Sequence, residues 1–128
     1  MVIAAKTMQI IAIAFAKGAV HDFKLYQTSL GKRVTGNHCI IADSGYQGIK
    51  KLHFNSTTPI KKSKKRPLSK TDKEFNHELS KVRIKVEQIN AKFKTFKIMA
   101  EKYRNRRRRF KLRASLICGL CNYELPKL

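Results

Sequence analysis

Cys39-Ile40-Ile41-Ala42-Asp43-Ser44-Gly45-Tyr46-Gln47-Gly48 is a short apolar run that ends abruptly in a carboxylate and a turn with two glycines. A short apolar run bounded by turn residues reads as a buried strand, here residues 39–42. Asp43 then stands at the carboxyl end of that strand, which is where ligands bind in open α/β sheets. Gly45 and Gly48 let the backbone turn tightly beside the carboxylate. The plain alternative is an aspartate that only opens a turn.

Upstream of this stretch, residues 8–16 are expected to be a buried strand, because Ile10, Ile11, Ile13 and Phe15 are β-branched or aromatic. The same run, flanked by Lys6 and Lys17 and ending Ala14-Phe15-Ala16, also mimics a signal-peptide core. It is about half the ~20 residues needed to span a bilayer. Residues 23–30 are expected to form a short helix, with Phe23, Tyr26 and Leu30 at helical spacing. Strand, helix, strand predicts a parallel pair with a crossover helix, hence an α/β fold. His21-Asp22 is expected to be a turn or helix cap rather than a catalytic pair.

Downstream, residues 57–70 read as a basic loop. Pro59 and Pro67 flank Lys61, Lys62, Lys64, Lys65 and Arg66. A solvated segment and a phosphate-contacting loop are compatible readings, because basic segments commonly order on nucleic acid. Thr71-Asp72-Lys73-Glu74 fits a capping box. Beyond it Phe75, Leu79, Val82, Val86, Ile89, Phe93 and Phe96 keep one apolar face for about six turns of helix. Arg83, Glu87, Asn90 and Lys94 form a second stripe beside that face, which puts Glu87 at its edge with Arg83 one turn earlier. An ordinary solvated ion pair and a coiled-coil face are the alternatives there.

The carboxyl-terminal part opens on a basic segment, residues 104–113. It holds Arg104, Arg106, Arg107, Arg108, Arg109, Lys111 and Arg113, whose guanidinium groups suit adjacent phosphates. Leu116, Ile117, Leu120 and Tyr123 predict a packed terminal helix. Cys118 and Cys121 fall inside it, and helix packing is preferred for them over half a zinc site or a redox pair. Only His38 and Cys39 would offer them company as ligands.

Composition bounds the function. The 128 residues include 29 Lys and Arg against 8 acidic residues, a net charge of +21. That excess implies a polyanionic partner, most simply nucleic acid. A hydrophobic content of 42% argues against general disorder. Three cysteines do not make a secreted disulfide framework, and they fit a reducing cytoplasm.

Ala42-Asp43-Ser44-Gly45-Tyr46-Gln47-Gly48 followed by Arg83-x3-Glu87-x6-Lys94 resembles the second and third catalytic blocks of insertion-sequence transposases of the DDE type. The third block of that family usually opens with a tyrosine, where Ser80 stands here. Lys17-Gly18 to His21-Asp22, the basic run from Tyr103, and Asn122-Tyr123-Glu124-Leu125 resemble flanking segments of the same proteins in the same order. The resemblance implies a ribonuclease-H-like fold and three carboxylates that bind two Mg²⁺ (or Mn²⁺) ions for attack on a phosphodiester. Asp43 matches the second carboxylate and Glu87 the third, with Arg83 orienting Glu87 or a phosphate. Lys94, with Lys61, Lys62, Lys64, Lys65, Arg66 and Arg104 to Arg109, would contact DNA. No acidic residue precedes Asp22, and Asp22 matches a turn position of the family rather than its first ligand. The expectation is therefore an incomplete ribonuclease-H-like fold, its first strand missing and a sheet edge left bare, with a long helix and a basic carboxyl-terminal helix. It would be a carboxyl-terminal fragment of a bacterial, cytoplasmic, DNA-associated transposase, inactive by itself. A homo-oligomer or an upstream transposase fragment are the partner expectations besides DNA. Two other classes remain beside it: a basic nucleic-acid-binding module without catalysis, and a helical interaction protein using the face from Phe75 to Phe96.

Overall fold

Chain reversal at Met8 decides the amino-terminal structure. The computed structural model describes residues 1–16, 18–34, 37–101 and 107–125. Met8 has φ 59°, a left-handed conformation uncommon outside glycine. The bonds Met8 N–H to Ala4 O (2.8 Å) and Ala4 N–H to Gln9 O (2.9 Å) fold the chain back there. Strand β1 (Val2–Ile3) thus pairs antiparallel with β2 (Ile10–Ala12), matching Val2 to Ala12 and Ile3 to Ile10. Residues 8–16 are not one strand as expected: the left-handed Met8 belongs to the reversal, and beyond it only Ile10–Ala12 find a partner in the two-residue β1. The edge expected to be bare is partnered by β1 over its two residues.

The chain divides into two compact units, Met1–Phe15 with Val82–Leu128, and Ala16–Lys81. The core of the first unit is Ile10, Ile89, Phe93, Ala114, Ile117, Cys118 and Cys121. Ile89 and Phe93 come from the long helix α2 (Lys70–Lys94). The last four come from helix α4 (Phe110–Tyr123) and recur at the i, i+3, i+4, i+7 spacing of one helix face. Small residues at Ala114, Cys118 and Cys121 let the α4 backbone approach β2 closely. Asn122 then clamps the buried Ile10 backbone on both sides: Ile10 N–H donates to Asn122 Oδ1 (2.7 Å) and Asn122 Nδ2 donates to Ile10 O (3.0 Å). A buried backbone needs such partners. Phe15 meets Phe110 edge-on at 4.8 Å, and Lys92 pairs with Glu124 at 3.0 Å.

The packed face of α4 differs from the expected one. Ile117 is buried, but Leu116 (62%), Leu120 (51%) and Tyr123 (80%) are exposed. Their bulk is farther from β2 than the small-residue face, which wins because it permits the tighter contact.

The second unit begins with α1 (Asp22–Thr28). His21 caps it, its Nδ1 accepting from Phe23 N–H at 3.3 Å, as the turn-or-cap reading has it. Gly31 is buried, and a Cβ there would lie 2.8 Å from Leu52 and 3.1 Å from Tyr26 O, so the close approach requires glycine. Strand β3 (Ile40–Ile41) pairs in parallel with β4 (Ser56–Thr57), not with the amino-terminal strand. β2 and β3 belong to separate two-stranded sheets, so the expected crossover unit is absent. Nor is 39–42 a buried strand: Cys39 and Ile41 are exposed and Ile40 is half-buried. Strands β3 and β4 are two residues each, and so short a pair buries little surface of its own.

Helix α2 is the element the periodicity described best. Leu79, Ile89 and Phe93 are buried, Val82, Val86 and Phe96 are half-buried, and Phe75 is exposed. The helix ends at Lys94; Thr95 turns its hydroxyl back to Lys92 O (2.7 Å), and Phe96 instead caps the short α3 (Lys97–Ala100). At the other end the capping box is Ser69 with Asp72, not Thr71 with Glu74. Asp72 N–H donates to Ser69 Oγ and Ser69 N–H donates to Asp72 Oδ2, both at 3.1 Å. Those bonds from Ser69, aided by the Arg66 guanidinium, hold the Asp72 carboxyl below the ordinary carboxylate range. A lowered value means that the cap contributes fully above the ordinary range and is lost as pH falls through the lowered one. Ser69→Ala should cost about 1 kcal/mol in denaturant unfolding, with Glu74→Gln neutral; equal stability of Ser69→Ala and the parent would reject the cap. Among the described residues no helix is long and apolar enough to cross a membrane.

Candidate active site

Asp43 is placed by the elements on either side of it. Before it, Ile40 N–H bonds to Asn55 O (3.0 Å) and Ala42 N–H to Thr57 O (2.9 Å), which fixes β3 on β4. After it comes a 3₁₀ turn, Ser44–Tyr46, that Asp43 itself caps. Its carboxylate accepts from Ser44 N–H at 2.6 Å, and its carbonyl accepts from Tyr46 N–H at 2.9 Å. The aspartate therefore opens a turn, as the plain reading has it, and still presents its side chain to solvent.

The turn is anchored by an aromatic cluster. Tyr46 meets Phe23 edge-on at 5.5 Å and Tyr26 at 6.1 Å, both on α1. Tyr26 in turn meets His53 at 5.8 Å, and its hydroxyl lies 3.1 Å from His53 Nε2. His53 is buried, and its carbonyl accepts from the buried Ser56 hydroxyl of β4 at 2.7 Å. A closed path thus runs from Asp43 through Tyr46, Tyr26, His53 and Ser56 back to the strand pair. Burial pushes the Tyr46 phenol above its ordinary value, and the Asp22 and Asp43 carboxylates add to the rise. Burial does the same to Tyr26. Sequence reasoning missed His53 and Ser56, because His53 finds Tyr26 across 27 residues of chain and Ser56 bonds only to the carbonyl of that same His53.

Glu87 and Arg83 lie one turn apart on α2. Their nearest charged atoms are 3.8 Å apart, and their side chains are 68% and 38% exposed. Glu87 is thus a solvated carboxylate beside a cation, more exposed than the edge of a buried face suggests. Lys94 closes the same helix, exposed, and Asn90 is half-buried between them. Ser80, at the position of the family's tyrosine, turns its hydroxyl onto His77 O (2.6 Å). Asp43 belongs to the second unit; Arg83, Glu87 and Lys94 belong to the first. Among the described residues no three His, Cys, Asp or Glu side chains form a metal-holding group.

The basic loop is exposed and tethered. Lys61, Lys62, Lys64, Lys65 and Arg66 all face solvent. Asn76 of α2 holds the loop's start with two bonds to the Ile60 backbone (2.8 and 2.9 Å). Ser63 and Arg66 close a turn within it, and Arg66 reaches Asp72 at 3.9 Å. Crowded like charges of this kind favour an anion in contact with them. In the second basic segment, Arg104 and Arg106 lie outside the described residues. Arg107–Arg109 form a 3₁₀ turn ahead of α4, and Arg108, Arg109 and Lys111 are exposed. Cys118 and Cys121 are unbridged core residues whose thiols burial pushes up, which keeps them protonated and poor ligands at neutral pH.

Three comparisons bear on this site. The family described as "DDE superfamily endonuclease" matches residues 1–122, a stretch that contains Asp43, Arg83, Glu87 and Lys94. The chain is 51% identical over 125 residues to a protein of Microchaete diplosiphon named "Probable transposase for insertion sequence element IS702". That match covers 98% of this chain and 45% of the relative, so the chain spans less than half the relative's length. No solved structure matches the chain.

Proposed function

Because the chain belongs to the DDE superfamily endonucleases, we propose that it is part of an insertion-sequence transposase, and that its 128 residues supply two carboxylates and the DNA-holding surface of the catalytic domain. The observation that carries this reading is the family match across residues 1–122, with Asp43 and the Arg83–Glu87 pair inside it. We place the chain in an incomplete ribonuclease-H-like fold, the finer form of the mixed α/β architecture described above.

The donor chemistry suits a hard divalent cation, Mg²⁺ or Mn²⁺. Asp43 and Glu87 are exposed carboxylates, and such ions prefer oxygen ligands. When bound, the ion supplies charge stabilisation at the phosphoryl oxygens and a more acidic attacking hydroxyl. The chain's own residues do the rest. The Asp43 carboxylate accepts from the Ser44 amide, on a turn that the Tyr46 ring anchors to α1. Arg83 holds the Glu87 side chain by the ion pair, or turns to a phosphate oxygen when DNA is present. Lys94 and the cations of residues 61–66 neutralise the backbone of the bound duplex. These cations support a DNA partner, and no membrane contact enters the reading.

Two carboxylates leave most of a cation's positions to water, so binding by this chain should be weak. Calorimetry with Mn²⁺ should show a small signal that either Glu87→Gln or Asp43→Asn removes. Equal binding by the parent and both variants would reject the assignment of these residues as ligands.

A further inference from the structure

We propose that Phe54, with Lys50 and Lys51 beside it, is a stacking site for an unpaired nucleobase of single-stranded DNA. This inference rests on the DNA-acting reading above and adds a strand state and a contact residue to it. Phe54 is 95% exposed, the highest value among the exposed large apolar residues described. Three residues close to it in the chain, Ile49, His53 and Ser56, are by contrast buried.

The backbone on both sides of the ring is pinned. Leu52 N–H and His53 N–H both donate to Ile49 O (2.9 and 2.8 Å). The Ser56 hydroxyl bonds to His53 O, and the His53 ring meets the Tyr26 hydroxyl. Gly48, at φ 90°, sets the turn that starts this segment. Phe54 is therefore displayed from a fixed support rather than left on a loose loop, which is what a stacking platform needs.

The charge nearby selects the occupant. Lys50 and Lys51 end the 3₁₀ turn Ile49–Lys51 just ahead of Phe54, and both are exposed. Between Asp43 and Asp72 the chain has no Asp or Glu. Every base offers a π face to an aromatic ring, and the phosphates on either side meet the lysines. A protein partner would call for a broader apolar patch. Among residues 50–55 the exposed apolar side chains are Leu52 and Phe54, beside Lys50, Lys51 and Asn55. In intact duplex DNA the base faces are stacked on each other, so the contact requires an unpaired strand.

The test uses the 128-residue chain with a labelled short oligothymidylate and a duplex of equal length, at one salt concentration. Phe54→Ala should weaken oligothymidylate binding about tenfold, within a range of about 5- to 150-fold, and leave duplex binding unchanged. Because the sequence contains no tryptophan, Phe54→Trp installs a single indole. That variant should keep the affinity, and its emission should be quenched by oligothymidylate. Full exposure of the ring means that neither substitution removes a core contact. Wild-type binding to both DNAs that Phe54→Ala leaves unchanged would overturn the stacking site and spare the DNA reading. Binding to neither DNA would overturn both. Self-association in sedimentation that Phe54→Ala abolishes would assign the ring to a protein contact and overturn the proposal.

Discussion

The 128-residue polypeptide, assayed alone, is expected to leave supercoiled DNA intact in Mg²⁺ or Mn²⁺. Residues 1–21 contain no Asp or Glu, and the strands β1 and β2 that they form therefore carry no carboxylate. Two-metal phosphodiester chemistry needs ions held roughly 3.5–4 Å apart by shared oxygen ligands. On the proposed reading Asp43 and Glu87 would supply two such ligands, and among the described residues no group of three His, Cys, Asp or Glu side chains forms a metal-holding set. The 29 basic residues cannot replace a missing ligand, since they hold phosphate and repel the cation. The expected loss is essentially the whole turnover, because a missing ligand removes an ion rather than weakening one contact. A plasmid-nicking assay checks this, with Asp43→Ala as the control. Metal-dependent nicking by the parent that Asp43→Ala abolishes would refute the expectation. A polypeptide that supplies an additional carboxylate to the metal ions is expected to restore cleavage in the same assay.

Binding without cleavage should still be strong at low salt and collapse as salt rises. Each phosphate neutralised by Lys or Arg releases counterions, so log K falls with log salt at a slope of about −0.9 per contact. Lys61, Lys62, Lys64, Lys65 and Arg66 alone offer five exposed cations, and Arg108, Arg109 and Lys111 extend the count. With about six to ten contacts engaged, affinity for duplex DNA should drop about 10³–10⁵-fold between 50 and 200 mM salt. Replacing Lys61 and Lys62 by Ala should reduce the slope by about two, with little change in sequence preference, because phosphate contacts position the protein and do not read bases. Titrations at four salt concentrations test this. A flat slope would mean that the charge excess serves something other than a nucleic-acid backbone.

Some of this protein was open to reading one residue at a time. The long helix was, because Leu79, Val82, Val86, Ile89 and Phe93 repeat at the pitch of the helix itself, whatever packs against it. The His21 cap and the Asp43 turn were also legible, since each depends on hydrogen bonds within two or three residues. The same holds for the pairing of Arg83 with Glu87, one helical turn apart. The displaced capping box at Ser69 shows the limit of that locality: Ser69-x-x-Asp72 and Thr71-x-x-Glu74 satisfy the same pattern, and the Arg66 side chain beside Asp72 favours the first.

What tertiary structure decided is of another kind. The sequence determined a basic, mixed α/β chain with a carboxylate after a short strand and another on a long helix. It did not determine that β3 pairs with β4 rather than β2, because short apolar runs carry no mark of their partner. It did not choose the small-residue face of α4 over the Leu116–Leu120–Tyr123 face, because both have helical spacing and only the closeness of β2 separates them. Nor did it reveal the path from Asp43 through Tyr46 and Tyr26 to His53, or the isolated exposure of Phe54. Helical pitch and turn chemistry act over a few residues and are written in order along the chain. Strand partners, buried faces and the anchoring of a turn depend on contacts between distant segments, and these exist only once the chain has folded.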